Sequence, residues 1–150
     1  MIRPLRATLA SLAFAGIALT SACTVPEPTH ANASLEIDMF SGWQKPSAAL
    51  DPEAADELIA YLDIRGKHSA STVGIKLPTG FRGLVVTPDE TSSETTTIRV
   101  LPRVIYVTDS IGTVRIPDAT GTAFDIVWQG ARSSFDADVV EAVDTAQAEG

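Results

Sequence analysis

Leu35-Glu36-Ile37-Asp38-Met39, the turn Phe40-Ser41-Gly42-Trp43-Gln44-Lys45-Pro46, and the stretch Asp51-Pro52-Glu53-Ala54-Ala55-Asp56-Glu57-Leu58-Ile59-Ala60-Tyr61-Leu62 decide the fold class. Leu35, Ile37 and Met39 alternate with two carboxylates, the period of a strand that buries one face. Gly42 and Pro46 then turn the chain. Asp51 supplies a helix N-cap and Pro52 a favoured first helical residue. Ala55, Leu58, Ile59 and Leu62 recur at helical spacing, and Glu53, Asp56 and Glu57 lie toward the positive end of the dipole. Gly66 offers a stop. The expectation is a strand whose following helix covers a sheet.

After a loop through Lys67, His68 and Ser69 the chain becomes rich in Val, Ile and Thr, which predicts a run of short strands. One falls in Phe81–Val86, one or two in Thr97–Val107 with a break at Pro102, and one in Thr113–Ile116 after the turn Asp109-Ser110-Ile111-Gly112. Thr87–Thr96, with Pro88, Asp89, Glu90 and a Ser/Thr cluster, reads as an exposed connection. Phe124, Ile126 and Trp128 alternate and predict a last strand with Trp128 in the core. Gly130–Ser134 breaks that pattern. Phe135, Val139, Val143 and Ala146 share a helical stripe, so a C-terminal helix is expected, capped by Ser133 or Ser134. Glu141, Asp144 and Glu149 oppose its negative end, which predicts fraying. The sum is an α+β domain over residues 35–150, with a small, mostly antiparallel sheet of about five strands and two packed helices.

Toward the N-terminus, residues 23–34 carry Pro26 and Pro28 without apolar periodicity and read as a tether. His30 falls within it, and Asn32-Ala33-Ser34 fits a three-residue glycosylation pattern of low specificity. Residues 1–22 have the layout of a secretory signal: Arg3 and Arg6, the thirteen uncharged residues Ala7–Leu19, then Thr20-Ser21-Ala22 before Cys23. The apolar run is shorter than the roughly 20 residues of a stable membrane span. Leu19-Thr20-Ser21-Ala22-Cys23 resembles the lipobox of bacterial lipoproteins, with Leu one place earlier than is typical. The resemblance implies a diacylglyceryl thioether on Cys23, a mature chain starting there, and a protein anchored in the cell membrane on its extracytoplasmic face. Cleavage after Ala22 to release a soluble protein with a free thiol, and retention as an uncleaved anchor, are the other readings of the same residues.

Composition excludes several classes. The chain has 11 basic and 19 acidic side chains, a formal charge of -8, which disfavours a nucleic-acid surface or an anionic-lipid patch. Its single Cys precludes an intrachain disulfide or a multi-thiolate zinc site. No G-x-S-x-G elbow, P-loop, G-x-G-x-x-G, H-E-x-x-H or EF-hand loop occurs, and no cofactor is expected. His68 is the one imidazole outside the tether, and a small envelope enzyme, hydrolase-like, would use it or a carboxylate. The pairs Asp89/Glu90 and Asp136/Asp138 read as solvated or helix-starting acids. Trp43, in the turn, is a candidate aromatic anchor for a sugar or protein, against burial over the sheet edge. Arg82, Arg99, Arg103 and Arg115 fall on expected strands, where pairing with the excess carboxylates competes with a cationic binding stripe. Arg82 joins Trp43 as a candidate partner-binding residue.

Phe40-Ser41-Gly42, Pro46, Leu50, the helix with Glu53-Ala54 and Glu57-Leu58, and Gly80-Phe81-Arg82-Gly83-Leu84-Val85-Val86 resemble a group of small, uncharacterised bacterial proteins with a strand-FSG-loop-helix opening. That group has an Asn before the Pro and a Trp shortly after it, where this chain has Lys45 and Ala48, and the resemblance supplies no catalytic residue. The functional expectation is a non-catalytic binding or interaction module for an envelope protein or small ligand, held at the membrane through Cys23.

Overall fold

The computed structural model, which describes residues 32–39, 45–69, 71–72, 74–75, 77–89 and 96–150, places the Leu35/Ile37 alternation in β1 (Ala33–Asp38). Then follow β2 (Ser47–Leu50), α1 (Pro52–Ser69), β3 (Ser71–Thr72), β4 (Gly83–Pro88), β5 (Thr97–Leu101), β6 (Val104–Thr108) and β7 (Thr113–Pro117). The chain closes with α2 (Thr122–Gln129), a 3-10 turn (Arg132–Ser134) and α3 (Ala137–Glu149). The strands form one seven-stranded sheet in the order β2-β1-β4-β5-β6-β7-β3, with every neighbouring pair antiparallel. The architecture is α+β, as its sequence implies. No described helix is long and apolar enough to cross a membrane.

Two apolar rows cross the sheet on one face. Leu35 faces Val86, Val86 faces Ile98, Ile98 faces Val107 and Val107 faces Val114. Two residues further on, Ile37, Leu84, Val100, Ile105 and Ile116 form the second row. Because side chains alternate along a strand, these β-branched and leucyl residues all point to the same layer. There they meet Ala54, Ala55 and Leu58 of α1 and Ala123, Phe124 and Val127 of α2 in one buried cluster. Phe81 packs its ring edge-on to Phe124, with centroids 6.0 Å apart. The opposite face carries Glu36, Val85, Arg99, Tyr106 and Arg115 in register.

Several expectations change. The Phe124/Ile126/Trp128 segment is a helix, not a last strand. Its buried residues are Ala123, Phe124, Val127 and Trp128, a spacing of one, three and four, which belongs to one helical face. A short apolar run satisfies both periods, and the turn before it decides. Trp128 is core, as expected. Among the described residues there are seven strands rather than about five and three helices rather than two: the expected last strand is lost to α2, Thr97–Val107 divides into β5 and β6, and β2 and β3 form just after the expected turn and loop. Lys67, His68 and Ser69 belong to α1, which runs through Gly66; an internal glycine costs only about 1 kcal/mol relative to alanine, which packing overrides. The domain opens at Ala33, two residues inside the expected tether. Ser133 and Ser134 sit in the 3-10 turn, and Asp136 occupies the N-cap position of α3 without a side-chain cap bond. The helix extends to Glu149, with its acidic side partly neutralised as described below.

Two glycines are required by close approach. Gly130 ends α2 against the start of α1: its carbonyl accepts the Asp51 N–H at 3.1 Å, and an added Cβ would collide with the Ala54 side chain. Gly83 opens β4 with φ of 116°, and a Cβ there would lie 2.9 Å from the Val100 carbonyl oxygen and 3.3 Å from Arg99 Cγ. Gly83→Ala combines a disfavoured φ with that clash and should destabilise the domain by about 2–4 kcal/mol. Chemical denaturation of the variant measures this, and an unchanged midpoint would contradict the β4–β5 geometry.

Candidate functional site

Gly83 leaves a gap on the face of the sheet opposite α1 and α2, and the Arg99 side chain crosses it. Its guanidinium donates to Asp38 Oδ2 at 2.6 Å and to the Arg82 carbonyl at 3.0 Å. Asp38 is buried at 6% exposure, so the pair is largely withdrawn from water and removal of either partner would strand a charge. Lys45 adds a bond to Glu36 at 2.7 Å and stands 3.9 Å from Asp38. The Glu36 bond, helped by the Asp38 charge, raises the Lys45 pKa despite the opposing loss of hydration. This polar cluster lies at the end of β1 where the chain leaves for the turn.

A second carboxylate, Asp118, is fully buried. Its Oδ1 accepts the Tyr61 hydroxyl at 2.8 Å and the Thr120 hydroxyl at 3.0 Å, and its Oδ2 accepts the Ala123 N–H at 2.8 Å. The Asp118 N–H in turn reaches the Arg103 carbonyl at 2.9 Å. Burial alone would raise the Asp118 pKa; the bonds from Ala123, Tyr61, Thr120 and Thr122 outweigh it and hold the carboxyl below the ordinary aspartate range. Tyr61 moves the other way: burial and then its bond to Asp118 raise the phenol. Arg65 lies over the Tyr61 ring, 5.4 Å from its centroid. With both oxygens engaged, Asp118 joins α1, the β5–β6 turn and the first turn of α2.

The third feature is the seat of α3. Val143 is buried on its inner face, and Trp128 stacks on Phe135 with centroids 5.9 Å apart. Trp128 Nε1 donates to Asp144 Oδ1 at 2.7 Å, Arg132 pairs with Asp144 Oδ2, and Gln147 donates to Asp125 at 2.6 Å. The indole bond, followed by Arg132, lowers the Asp144 pKa despite some loss of hydration. Along its other flank α3 borders a groove of about 520 Å³, floored by Met39, Phe81, Val139, Ala142 and Ala146, with Lys45, Asp138 and Glu149 at its rim. A wider, more open depression of about 1030 Å³ lies beside the 3-10 turn, between Arg132, Phe135 and Val140. An apolar floor within a rim of few charges suits an apolar group with polar ends.

The candidates from sequence are dispersed. Cys23, His30 and Trp43 lie outside the described residues, as does Glu90. His68 lies in α1. Arg82 is exposed, and its main chain ties β1 to β4 through its N–H on the Asp38 carbonyl at 2.7 Å. Of the four arginines, Arg99 alone forms an ion pair among the described residues, where it meets the expected carboxylate pairing; Arg82 and Arg103 lie just outside the strands expected to carry them. Asp136 and Asp138 start α3, as expected. Asp118, Tyr61 and the groove were not singled out from sequence. Asp118-Ala119-Thr120-Gly121-Thr122 does carry a signal: two hydroxyl residues and a Gly after an Asp form a turn that leads into a helix. No three His, Cys, Asp or Glu side chains converge as a metal site among the described residues.

Removal of the Asp118 charge gives a direct check. Asp118→Asn should cost about 2–3 kcal/mol, because Ala123 and Tyr61 lose a charged acceptor in a buried place. Since the folded pKa lies below the unfolded one, the contribution is complete above the unfolded value and is lost as pH falls through the folded one. The wild type should therefore lose stability in acid below the ordinary aspartate range, and the Asn variant should show a shallower loss. Denaturant titrations at several pH values measure both; parallel profiles would contradict this assignment. Comparison with known protein families, curated proteins and solved structures finds no match to this chain.

Proposed function

We propose that the chain is a cell-envelope lipoprotein, anchored through Cys23 on the extracytoplasmic face of the membrane, whose domain is a non-catalytic binding or interaction module. The anchor rests on the order of basic residues, apolar run, small residues and lone Cys in residues 1–23. Two acyl chains give stable attachment, because each buried methylene contributes about 0.8 kcal/mol and one chain alone is marginal. The observation that carries the binding reading is the groove between α3 and the Met39/Phe81 end of the sheet. The three strongly held carboxylates support it too, since Asp38, Asp118 and Asp144 are each engaged in joining elements of the fold.

The anchor predicts a diacylglyceryl mass on the mature wild type and entry into a detergent phase, both lost in Cys23→Ala. An unmodified, aqueous wild type would reject it. The binding module predicts that Ala142→Trp, which fills the groove, leaves the unfolding midpoint nearly unchanged. A photo-crosslinker at Ala146 should form a discrete adduct in the envelope of the producing cell, and Ala142→Trp should suppress that adduct. An adduct unaffected by the plug would move the binding surface elsewhere, and turnover of an envelope substrate by the purified chain would reject the non-catalytic reading.

A further inference from the structure

α3 is held to the domain more thinly than the other two helices. Of its thirteen residues only Val143 is fully buried, whereas α2 buries Ala123, Phe124, Val127 and Trp128 within eight. Hollows run along both of its flanks: the groove of about 520 Å³ beside Val139, Ala142 and Ala146, and the depression of about 1030 Å³ beside Val140 and Asp144. Polar ties stand in for packing. Asp144 accepts the Trp128 indole N–H on Oδ1 at 2.7 Å and Arg132 on Oδ2, and Gln147 donates to Asp125 at 2.6 Å. Little within α3 favours a helix on its own. Asp136 at the N-cap makes no side-chain cap bond, and the last turn holds no basic residue. Glu141, Asp144 and Glu149 oppose the negative end of the dipole. A helix this short with such ends is marginal in water, so its helicity depends on its seat.

We infer that α3 is a hinged strap, latched by Asp144 to Trp128 and Arg132, that leaves its seat as a unit while the sheet, α1 and α2 stay folded. The inference goes beyond the binding reading and does not depend on it. The hinge is Asp136. Phe135 before it is held by its stacking on Trp128, with centroids 5.9 Å apart, and both residues are extended, with ψ of 154° and 157°. The rest of the core does not need the strap: the two apolar rows of the sheet meet Ala54, Ala55, Leu58, Phe124 and Val127, all outside α3. Release gives up the burial of Val143, part of that of Val139 and Val140, and the latch bonds, whereas global unfolding exposes both rows. Local opening of this kind lies below global unfolding in free energy. Because the two hollows border opposite flanks of α3, opening joins them into one apolar surface from Met39 and Phe81 to Phe135 and frees the Trp128 indole of its acceptor.

Native-state amide hydrogen exchange in the full chain, followed residue by residue, tests the strap. Corrected for intrinsic rates, the α3 amides beyond Val140 should exchange about a hundredfold faster than those of β4 and β5. Ile98→Val trims a buried side chain of the sheet and should speed the β4 and β5 amides several-fold. It should leave α3 unchanged, because the strap opens without unfolding the sheet. Asp144→Asn takes the charge from the latch and should speed α3 about tenfold. One protection level shared by α3 and the sheet, or an Ile98→Val effect that reaches α3 in full, makes α3 part of the global unit and overturns the inference. Unchanged α3 exchange in Asp144→Asn removes the latch and overturns it as well.

Discussion

The whole fold depends on a sheet whose apolar face is covered by α1 and α2. α1 and α2 lie on the side of Leu35, Ile37, Leu84, Val86, Ile98, Val100, Ile105 and Ile116. A register slip of one residue would turn those side chains outward and bring Glu36, Arg99 and Arg115 into the core. The cost of burying those charges is far above the net stability of a domain this size. The register is therefore narrowly specified, and it positions Arg99 diagonal to Asp38 across Gly83.

The buried polar groups refine this arrangement. The Arg99–Asp38 pair joins β5 to β1 over the strand between them, which bears a glycine where a side chain would block the path. Asp118 does the corresponding work on the helical layer, accepting from Tyr61 of α1 and from the first turn of α2. Among the described residues no buried side-chain nitrogen or oxygen lacks a hydrogen-bond partner, so these groups stabilise the fold without leaving an unpaired cost behind. The acidic C-terminal helix follows the same logic: Asp144, unfavourable near a negative helix end, is met by the Trp128 indole and Arg132.

Legibility in the sequence followed the strength of local patterning. The Leu35/Ile37 alternation, the Asp51-Pro52 helix start and the Pro102 break between β5 and β6 state their structure within a few residues, and the structure agrees. Phe124-Asp125-Ile126-Val127-Trp128 does not, because five residues satisfy both a strand and a helix and only the Gly121 turn and the Ala123 N–H bond to Asp118 distinguish them. β2 is equally hidden: Ser47-Ala48-Ala49-Leu50 has little strand propensity and is a strand because β1 offers it an unpaired edge. The groove was illegible for a deeper reason. Met39, Phe81 and Ala142 are far apart in the chain and share a surface only once α3 is seated. The lipobox resemblance, by contrast, lies entirely within residues 1–23 and draws nothing from the fold.

The most direct test of the account is a set of methyl cross-strand contacts measured by nuclear Overhauser effects in the full chain. The account predicts an unbroken series from Leu35 to Val86, Ile98, Val107 and Val114, with methyl contacts from that row to Phe124 and Val127. A series offset by one residue in any strand, or Phe124 and Val127 paired as neighbours in a strand, would contradict it.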